Sequence, residues 1–344
     1  MLKEYKTGFL IGAVYIGAII GAGFATGQEL VRYFVRFGIW GLTAIPLCGL
    51  IFAISGYKAV YFMHLKGCRD YREFLHLVMG KKLGTVAEVI SFLFIIALYS
   101  SMLAASGALL HQLFNISRLW GSLFTCIFCS LLVFGGVNSL GLLNFILCPL
   151  LVCGSVLMGL WLYFGSVDAF ASYIRIDNNI LGSSVVYVAY NVISSVSLLC
   201  AVSKKVKSLK DAVTGGILGG LTLGITGLCL ALPLYKYFSV AENAELPILS
   251  LIALSDKSFI LKPCYTLLLS AAILTTAAGN CYSAVECLCP ARSWERFVWV
   301  IVVSSSALLL SLMGFQVIVG RLYYFFGCLG LLELAMIIAL KTEK

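Results

Sequence analysis

The chain has 344 residues, of which 61% are hydrophobic and 11% are charged, and its mean hydropathy is +1.02. This composition excludes a soluble globular protein, because a compact core cannot enclose so much apolar surface. The net charge of +9 would suit nucleic acid, but the basic residues fall in short segments between apolar runs, which excludes a folded basic domain.

Apolar runs bounded by glycine, proline, charged or amide residues predict ten transmembrane helices, because a bilayer core needs roughly 20 apolar residues per crossing. The first five span residues 8–36, 40–62, 84–113, 119–136 and 140–164. The second five span residues 182–202, 210–236, 259–288, 294–313 and 316–340. No cleavage site follows the first run, so we expect it to remain as helix one.

The even division predicts an all-α integral membrane protein, a single transport domain over residues 1–344 built from two repeats. The first repeat covers 8–164 and the second covers 182–340. An odd number of crossings in each repeat inverts the second repeat relative to the first.

Charge in the connecting segments predicts the orientation. Lysine and arginine are concentrated in residues 66–82 and 204–210, whereas the connections on the opposite side carry Asp168, Glu242 and Asp256. The positive-inside rule therefore places both termini in the cytoplasm of a bacterial cell with the chain in the inner membrane.

Two connecting segments have their own apolar character. Residues 71–83 mix apolar and charged side chains, which predicts a short helix on the cytoplasmic face. Residues 246–254 suggest a similar outer cap, and an ordinary connecting loop fits this short segment equally well.

Helix one is the most informative segment, because Gly17, Gly21, Gly23 and Gly27 interrupt its apolar run. Dense glycine weakens a helix, and in lipid an unwound backbone is tolerated where it lines a cavity or is buried in protein. At such a break the backbone amides of Gly21, Ala22 and Gly23 would favour a carboxylate. The alternative is that the small residues only permit close helix packing.

Polar residues directly after these glycines favour the functional interpretation. Thr26, Gln28 and Glu29 are costly at membrane depth unless they face a cavity. The alternative for Glu29 is a position near the outer surface. Glu333 is a second deep carboxyl group and a candidate proton relay.

Helix six, which occupies the matching position in the second repeat, contains Tyr190 and Asn191 in an apolar span. We expect it to be interrupted as helix one is, because paired discontinuous helices mark the binding site of many transporters. Asn191 would satisfy freed backbone groups or contact the solute, and Tyr190 would wall the pocket. A single buried amide that bonds a neighbouring helix is the alternative for Asn191.

Helix eight carries Ala272, Thr275 and Thr276 on one face. Two hydroxyl oxygens and one carbonyl oxygen from these residues, with the carbonyls of Gly17 and Ile20, would supply five oxygen ligands for sodium. The alternative is that the threonines bond their own helix backbone.

The run at residues 16–29, with Gly-Ala-Gly-Phe-Ala-Thr-Gly-Gln-Glu within it, resembles helix one of the YkvI-like family of bacterial amino-acid permeases. That family is similar to the amino acid, polyamine and organocation transporters, which implies the leucine-transporter fold. By this resemblance Gly21, Ala22 and Gly23 would hold a substrate carboxylate, and Tyr99 in helix three would close over it.

The same resemblance implies a sodium site. Gly17, Ile20, Ala272, Thr275 and Thr276 match the second sodium site of the leucine-transporter family. Phe24 stands where that family has a sodium-binding asparagine, so the pattern supports one sodium ion at most.

These observations predict a secondary active transporter of an amino acid or related small zwitterion, coupled to a cation, with sodium favoured over a proton. We expect no cofactor besides Na⁺, no nucleic-acid partner, and no enzyme activity, since no Walker loop, His-Glu-x-x-His helix or nucleophile elbow occurs. A channel and a membrane solute sensor that does not transport are the alternatives. The sequence leaves the oligomeric state open.

Overall fold

The computed structural model describes residues 6–68, 70–135, 138–169, 179–288 and 294–341. The first half contains α1 Lys6–Ile19, α2 Ala22–Ala25, α3 Gln28–Tyr33, α4 Ile39–Lys66, α5 Tyr71–Phe114, α6 Arg118–Gly135 and α7 Asn138–Phe164. The second half contains α8 Ile180–Ser203, α9 Leu209–Lys236, α10 Phe238–Asn243, α11 Pro247–Ala253, α12 Ser258–Leu288, α13 Trp294–Ser311, α14 Phe315–Val317 and α15 Tyr323–Ala339.

Eight helical segments are long and apolar enough to cross a membrane, and the shorter apolar helices Thr7–Ile19 and Arg118–Phe134 bring the number of spans in the described ranges to ten. The last of the ten joins α14 to α15 through a π-helical turn, Ile318–Leu322. The predicted class, a multi-pass α-helical membrane protein, is therefore confirmed. The exact repeat boundaries, 8–164 and 182–340, stay a prediction.

Packing between the halves is reciprocal. Helix α1 packs against α9 of the second half, and α8, which holds the matching place in the second half, packs against α4 of the first. Helices α4 and α9 pair with each other, as do α5 and α12. This exchange of partners is what two structurally related repeats produce.

The first span is broken, as predicted. Gly21 is extended, with φ −97° and ψ −170°, and its N–H donates to the Ile19 carbonyl at 2.8 Å. Four residues of α2 follow before a second break, where Gly27 has a φ of +84° that side chains disfavour. Thr26 closes this second break, because its Oγ1 accepts from the Gln28 N–H at 3.3 Å and donates to the Gly23 carbonyl at 3.1 Å.

The expected interruption of helix six is wrong, because α8 runs without a break from Ile180 to Ser203. Several of its polar side chains bond backbone carbonyls of their own helix. Asn191 Nδ2 donates to the Tyr187 carbonyl at 3.0 Å, and Ser194 Oγ donates to the Asn191 carbonyl at 3.0 Å. Such bonds satisfy buried polar groups without unwinding the backbone.

The connecting segments follow the sequence closely. Gly80, with φ +75° and ψ 166°, divides α5 into a short segment 71–79 and a long span, so the predicted short helix is present and ends earlier than residue 83. Its place on the cytoplasmic face stays a prediction. Helix α11 occupies the expected outer-cap segment 246–254. Helix α10 was not predicted.

Candidate solute-binding site at the break in the first span

A cavity of about 100 Å³ lies against the break between α1 and α2. It is walled by α1, α2, α3, α5, α8 and α12, with one residue of α15. Seven of the residues predicted for the site line it: Gly17, Gly21, Gly23, Tyr190, Asn191, Thr275 and Thr276. The structure thus brings together residues from both halves of the chain around the unwound backbone.

Other predicted residues lie next to the cavity without lining it. Ala22 and Ala272 are fully buried in helix packing, and the side chain of Ile20 is also buried. Thr26 serves the second break through its local hydrogen bonds. Gln28 is buried, and its Oε1 has no hydrogen-bond partner in the part of the chain that the structure describes.

Tyr99 does not close over the break as the resemblance implied. Its hydroxyl lies 3.4 Å from Ser304 Oγ of α13, so the side chain packs between α5 and α13. The tyrosine that lines the cavity is Tyr323, which is hydrogen-bonded to Ser101 of α5. Sequence reasoning missed Tyr323 because it opens a run of aromatic residues in an apolar span, which gives it no distinguishing signal.

Three of the residues predicted to hold sodium, Gly17, Thr275 and Thr276, line this cavity. Because Gly21 donates its N–H to Ile19, the Gly17 carbonyl lacks the bond that a continuous helix would give it. Thr276 is adjacent, since a methyl group added at Gly21 would lie 4.0 Å from Thr276 Oγ1. The Thr276 side chain therefore adjoins the unwound segment, and carbonyl and hydroxyl oxygens are the ligand types that a hard cation takes.

Thr275 makes the bonds that the alternative interpretation described. Its Oγ1 donates to the Ala271 carbonyl at 2.8 Å and lies 3.2 Å from the Ala272 carbonyl. A hydroxyl that donates its proton keeps two acceptor lone pairs, so these bonds are compatible with a ligand role. The residues present thus fit a sodium ion.

Glu29 lines the cavity and is buried in the protein. Its side chain folds back onto Gly23, where an added methyl group would collide with the carboxyl group. The residue is only 5% exposed, and Oε2 has no hydrogen-bond partner among the described residues. The Tyr190 hydroxyl lies beside the Glu29 carboxyl group. This hydroxyl also has no partner in hydrogen-bond geometry among the described residues.

Aromatic rings surround this carboxyl group. The Tyr190 ring centroid lies 5.4 Å from that of Tyr33, 5.4 Å from that of Tyr187 and 5.1 Å from that of Tyr323. The cluster joins α3, α8 and α15, and two of its members, Tyr190 and Tyr323, line the cavity. It forms an apolar wall with a few hydroxyl groups, which is typical of small-molecule pockets.

The cavity is covered at one end. The Ile248 N–H of α11 donates to the Thr26 carbonyl at 3.0 Å, and Tyr265 of α12 donates to the Ala25 carbonyl. In the other direction the lining continues along α8 and α12 to Ser197 and Ser283. The cavity therefore extends from the break toward the ends of these two helices.

Two proteins of Bacillus subtilis (strain 168) are similar to the chain over nearly its whole length. The uncharacterized membrane protein YkvI is 25% identical over 337 residues, which cover 96% of this chain and 95% of YkvI. The uncharacterized protein YyaD is 24% identical over 328 residues, 95% of each chain. No family model matches. The resemblance to YkvI-like proteins is thereby confirmed.

Several solved structures share the architecture. MhsT in complex with L-phenylalanine superimposes with a TM-score of 0.70 at 15% identity, covering 96% of this chain and 88% of MhsT. A Na⁺-coupled sialic acid symporter in a substrate-bound outward-open state gives 0.63 at 14% identity, covering 94% and 75%. Inward-facing Mhp1 gives 0.62 at 17% identity, covering 96% and 76%. The chain has the leucine-transporter fold of these proteins.

Proposed function

We propose that this relative of YkvI and YyaD, a multi-pass membrane protein with the leucine-transporter fold, is a secondary active transporter of an amino acid or related small zwitterion. The observation that carries the proposal is the cavity at the break in the first span, walled by helices of both halves. In transporters built from inverted repeats, the solute binds where a discontinuous helix meets the other repeat.

The way the cavity is closed favours alternating access over a channel. A channel needs a continuous path, whereas here α11 and Tyr265 cover the broken segment at one end. The lining extends only in the opposite direction, toward Ser197 and Ser283. This arrangement is expected of a transporter in which the solute reaches one side of the membrane at a time.

We propose sodium as the coupling ion in preference to a proton. The Gly17, Ile20 and Ala272 carbonyls with the Thr275 and Thr276 hydroxyls would hold the ion. A bound cation would tie α1 to α12 beside the solute cavity through these oxygen ligands. The Na⁺ coupling of the sialic acid symporter, which shares the fold, supports this choice.

The solute class rests on the chemistry of the cavity and on the structural relatives. The cavity offers backbone groups at Gly21 and Gly23, an amide at Asn191 and a hydroxyl at Tyr190, which suits a small polar molecule. L-Phenylalanine bound to MhsT supports an amino acid.

The basic segments 66–82 and 204–210 support termini in the cytoplasm.

Thermal stability of the purified protein tests the proposal, because a ligand that binds the folded state raises the melting temperature. A panel of amino acids would be added, each with sodium and with an equal concentration of choline. We expect one class of amino acid to stabilise the protein and to do so more strongly with sodium. Uptake of that amino acid into proteoliposomes under a sodium gradient then tests transport. Binding without uptake would contradict a transporter and favour a sensor.

The substitution Thr276→Ala tests the sodium site. We expect it to abolish the sodium dependence of solute binding and leave membrane insertion intact, because a methyl group cannot ligate a cation. Thr226→Ala is the matched control, since Thr226 is buried in α9 outside the cavity and its Oγ1 has no partner among the described residues. Unchanged sodium dependence in Thr276→Ala would reject this site.

A further inference from the structure

We propose that Glu29 binds the ammonium group of the transported solute, so that the cavity beside Gly23 and Glu29 receives the cationic end of the solute and not its carboxylate. This inference rests on the proposed function and specifies the solute class. It also replaces the expectation that the Gly21–Gly23 amides hold a carboxylate.

The position of the side chain is the first argument. The left-handed turn at Gly27 reverses the chain after α2, and Glu29 in the first turn of α3 folds back against the unwound segment. A methyl group added at Gly23 would lie 2.8 Å from Glu29 Cδ and 3.0 Å from Cγ, so the carboxyl group rests directly on the Gly23 backbone. The niche that the glycines open is filled by a carboxyl group of the protein itself.

Charge is the second argument. Glu29 is the only acidic or basic residue among the described residues that line the cavity. The remainder are apolar, hydroxyl or amide residues. No ion pair to Glu29 is seen within the described ranges. A carboxylate at membrane depth is costly unless an opposite charge or a bound cation compensates it. A solute ammonium group supplies that charge when it binds.

A substrate carboxylate in the same niche would have the opposite effect. Two carboxylates at contact distance repel, and one of them must then be neutralised. The free Oε2 of Glu29 accepts hydrogen bonds, and so does the backbone carbonyl of an unwound segment, whereas an ammonium group has three N–H donors to offer. The Glu29 carboxyl group and the carbonyls of the unwound segment thus offer acceptors that suit a cation.

Helix α8 explains why a side chain is needed for this task. An unbroken α8 keeps its carbonyls in intrahelical bonds and offers no backbone acceptors to an ammonium group. The acceptors on this side are the Asn191 Oδ1, since Nδ2 is the atom that donates to the Tyr187 carbonyl, and the Tyr190 hydroxyl, which has no partner among the described residues. The aromatic faces of Tyr190 and Tyr323 add favourable contact with a cation.

Matched pairs of ligands test the proposal on the purified full-length protein. Each L-amino acid, such as L-alanine, L-leucine or L-phenylalanine, is compared in sodium buffer with the L-2-hydroxy acid of the same side chain. We expect the amino acid to raise the melting temperature of the wild type and the hydroxy acid to leave it unchanged. Equal stabilisation by both members of a pair, or stabilisation by the hydroxy acids only, would overturn the proposal.

The variant Glu29→Gln removes the charge and keeps the size of the side chain. We expect its affinity for the stabilising amino acid to fall at least about tenfold, as loss of a charge-assisted contact predicts. Glu333→Gln is the matched control. Glu333 is 3% exposed and lies outside the cavity, where Tyr71 donates to its Oε1 at 2.7 Å. This control should keep the wild-type affinity, and unchanged affinity in Glu29→Gln would reject the assignment.

Chemical labelling of the wild type covers the case in which Glu29→Gln does not fold. A hydrophobic carbodiimide should label Glu29 from the cavity, and the stabilising amino acid should slow this labelling, whereas labelling of Glu333 should not respond. Peptide mass spectrometry reads both sites. Labelling of Glu29 that does not respond to the amino acid would count against the proposal.

Proteoliposome uptake separates this inference from the proposed function. If the wild type binds amino acids through Glu29 but does not accumulate them, the Glu29 assignment stands and transport fails. If Glu29→Gln takes up and binds the amino acid as the wild type does, transport stands and the Glu29 assignment fails.

Discussion

The first span and α8 hold matching places in the two halves, yet their backbones differ. The first span carries glycines at 17, 21, 23 and 27 and breaks twice, whereas α8 carries serine, asparagine and β-branched residues and runs straight through. Both segments are polar for a membrane helix. The difference shows that polar side chains alone do not unwind such a helix, because they bond its own carbonyls.

Glycine permits a backbone conformation that breaks the helix, which polar residues do not. Gly27 adopts a left-handed backbone in a tight space, since a methyl group added there would lie 2.8 Å from Leu234 and 3.1 Å from Ile248. The first span therefore presents backbone groups to the cavity, and α8 presents the side chains of Tyr190 and Asn191. The proposed binding site therefore has a main-chain wall, on which the Glu29 carboxyl group rests, and a side-chain wall.

Filling the space beside Gly23 in the main-chain wall should have the largest effect on solute affinity. We expect Gly23→Leu to lower solute affinity at least about a hundredfold, because the new side chain displaces Glu29 and occupies the niche. Gly224→Ala is a suitable control, since its added methyl group meets atoms only at 3.6 Å or beyond. Solute-dependent thermal stabilisation measures both. Wild-type affinity in Gly23→Leu would show that the niche is not the binding site.

Hydrogen exchange should reveal the same division without any mutation. The amides of Ala22, Gly23 and Phe24 should exchange at least about tenfold faster than those of 188–195, because the break leaves the first amides of α2 without the intrahelical acceptors that α8 provides. Mass spectrometry of the protein in lipid nanodiscs measures both segments. Equal protection of the two segments would contradict the described difference, and slower exchange on adding the solute would sharpen it.

Removing a side chain from the α8 wall should have the smallest effect. We expect Asn191→Ala to leave α8 helical and to lower solute affinity about fivefold, which corresponds to one neutral hydrogen bond of about 1 kcal/mol. Ser184→Ala, whose Oγ donates to the Ile180 carbonyl at 2.8 Å outside the cavity, is the control. A loss as large as that of Gly23→Leu would mean that α8, and not the glycine segment, dominates recognition.

Much of the architecture could be predicted because lipid imposes it. Ten apolar runs, the glycine break and the interfacial segment at 71–79 all follow from local composition. The continuity of α8 could not be predicted, since it depends on which carbonyl each polar side chain bonds. The same holds for Tyr99 and Tyr323, because only the packing of α5 against α13 and α15 decides which tyrosine reaches the cavity.

The pairing of α4 with α9 has a mechanical consequence. A methyl group added at Gly49 would lie 2.8 Å from the Gly220 carbonyl oxygen, so the two backbones touch with no side chains between them. Such a contact has no side-chain rotamers that could rearrange to let the helices slide, so α4 and α9 behave as one rigid unit. Any rocking motion that exposes the cavity to the other side of the membrane must then occur at side-chain contacts elsewhere. These are the contacts that α5 and α12 make with the helices around the α4–α9 pair.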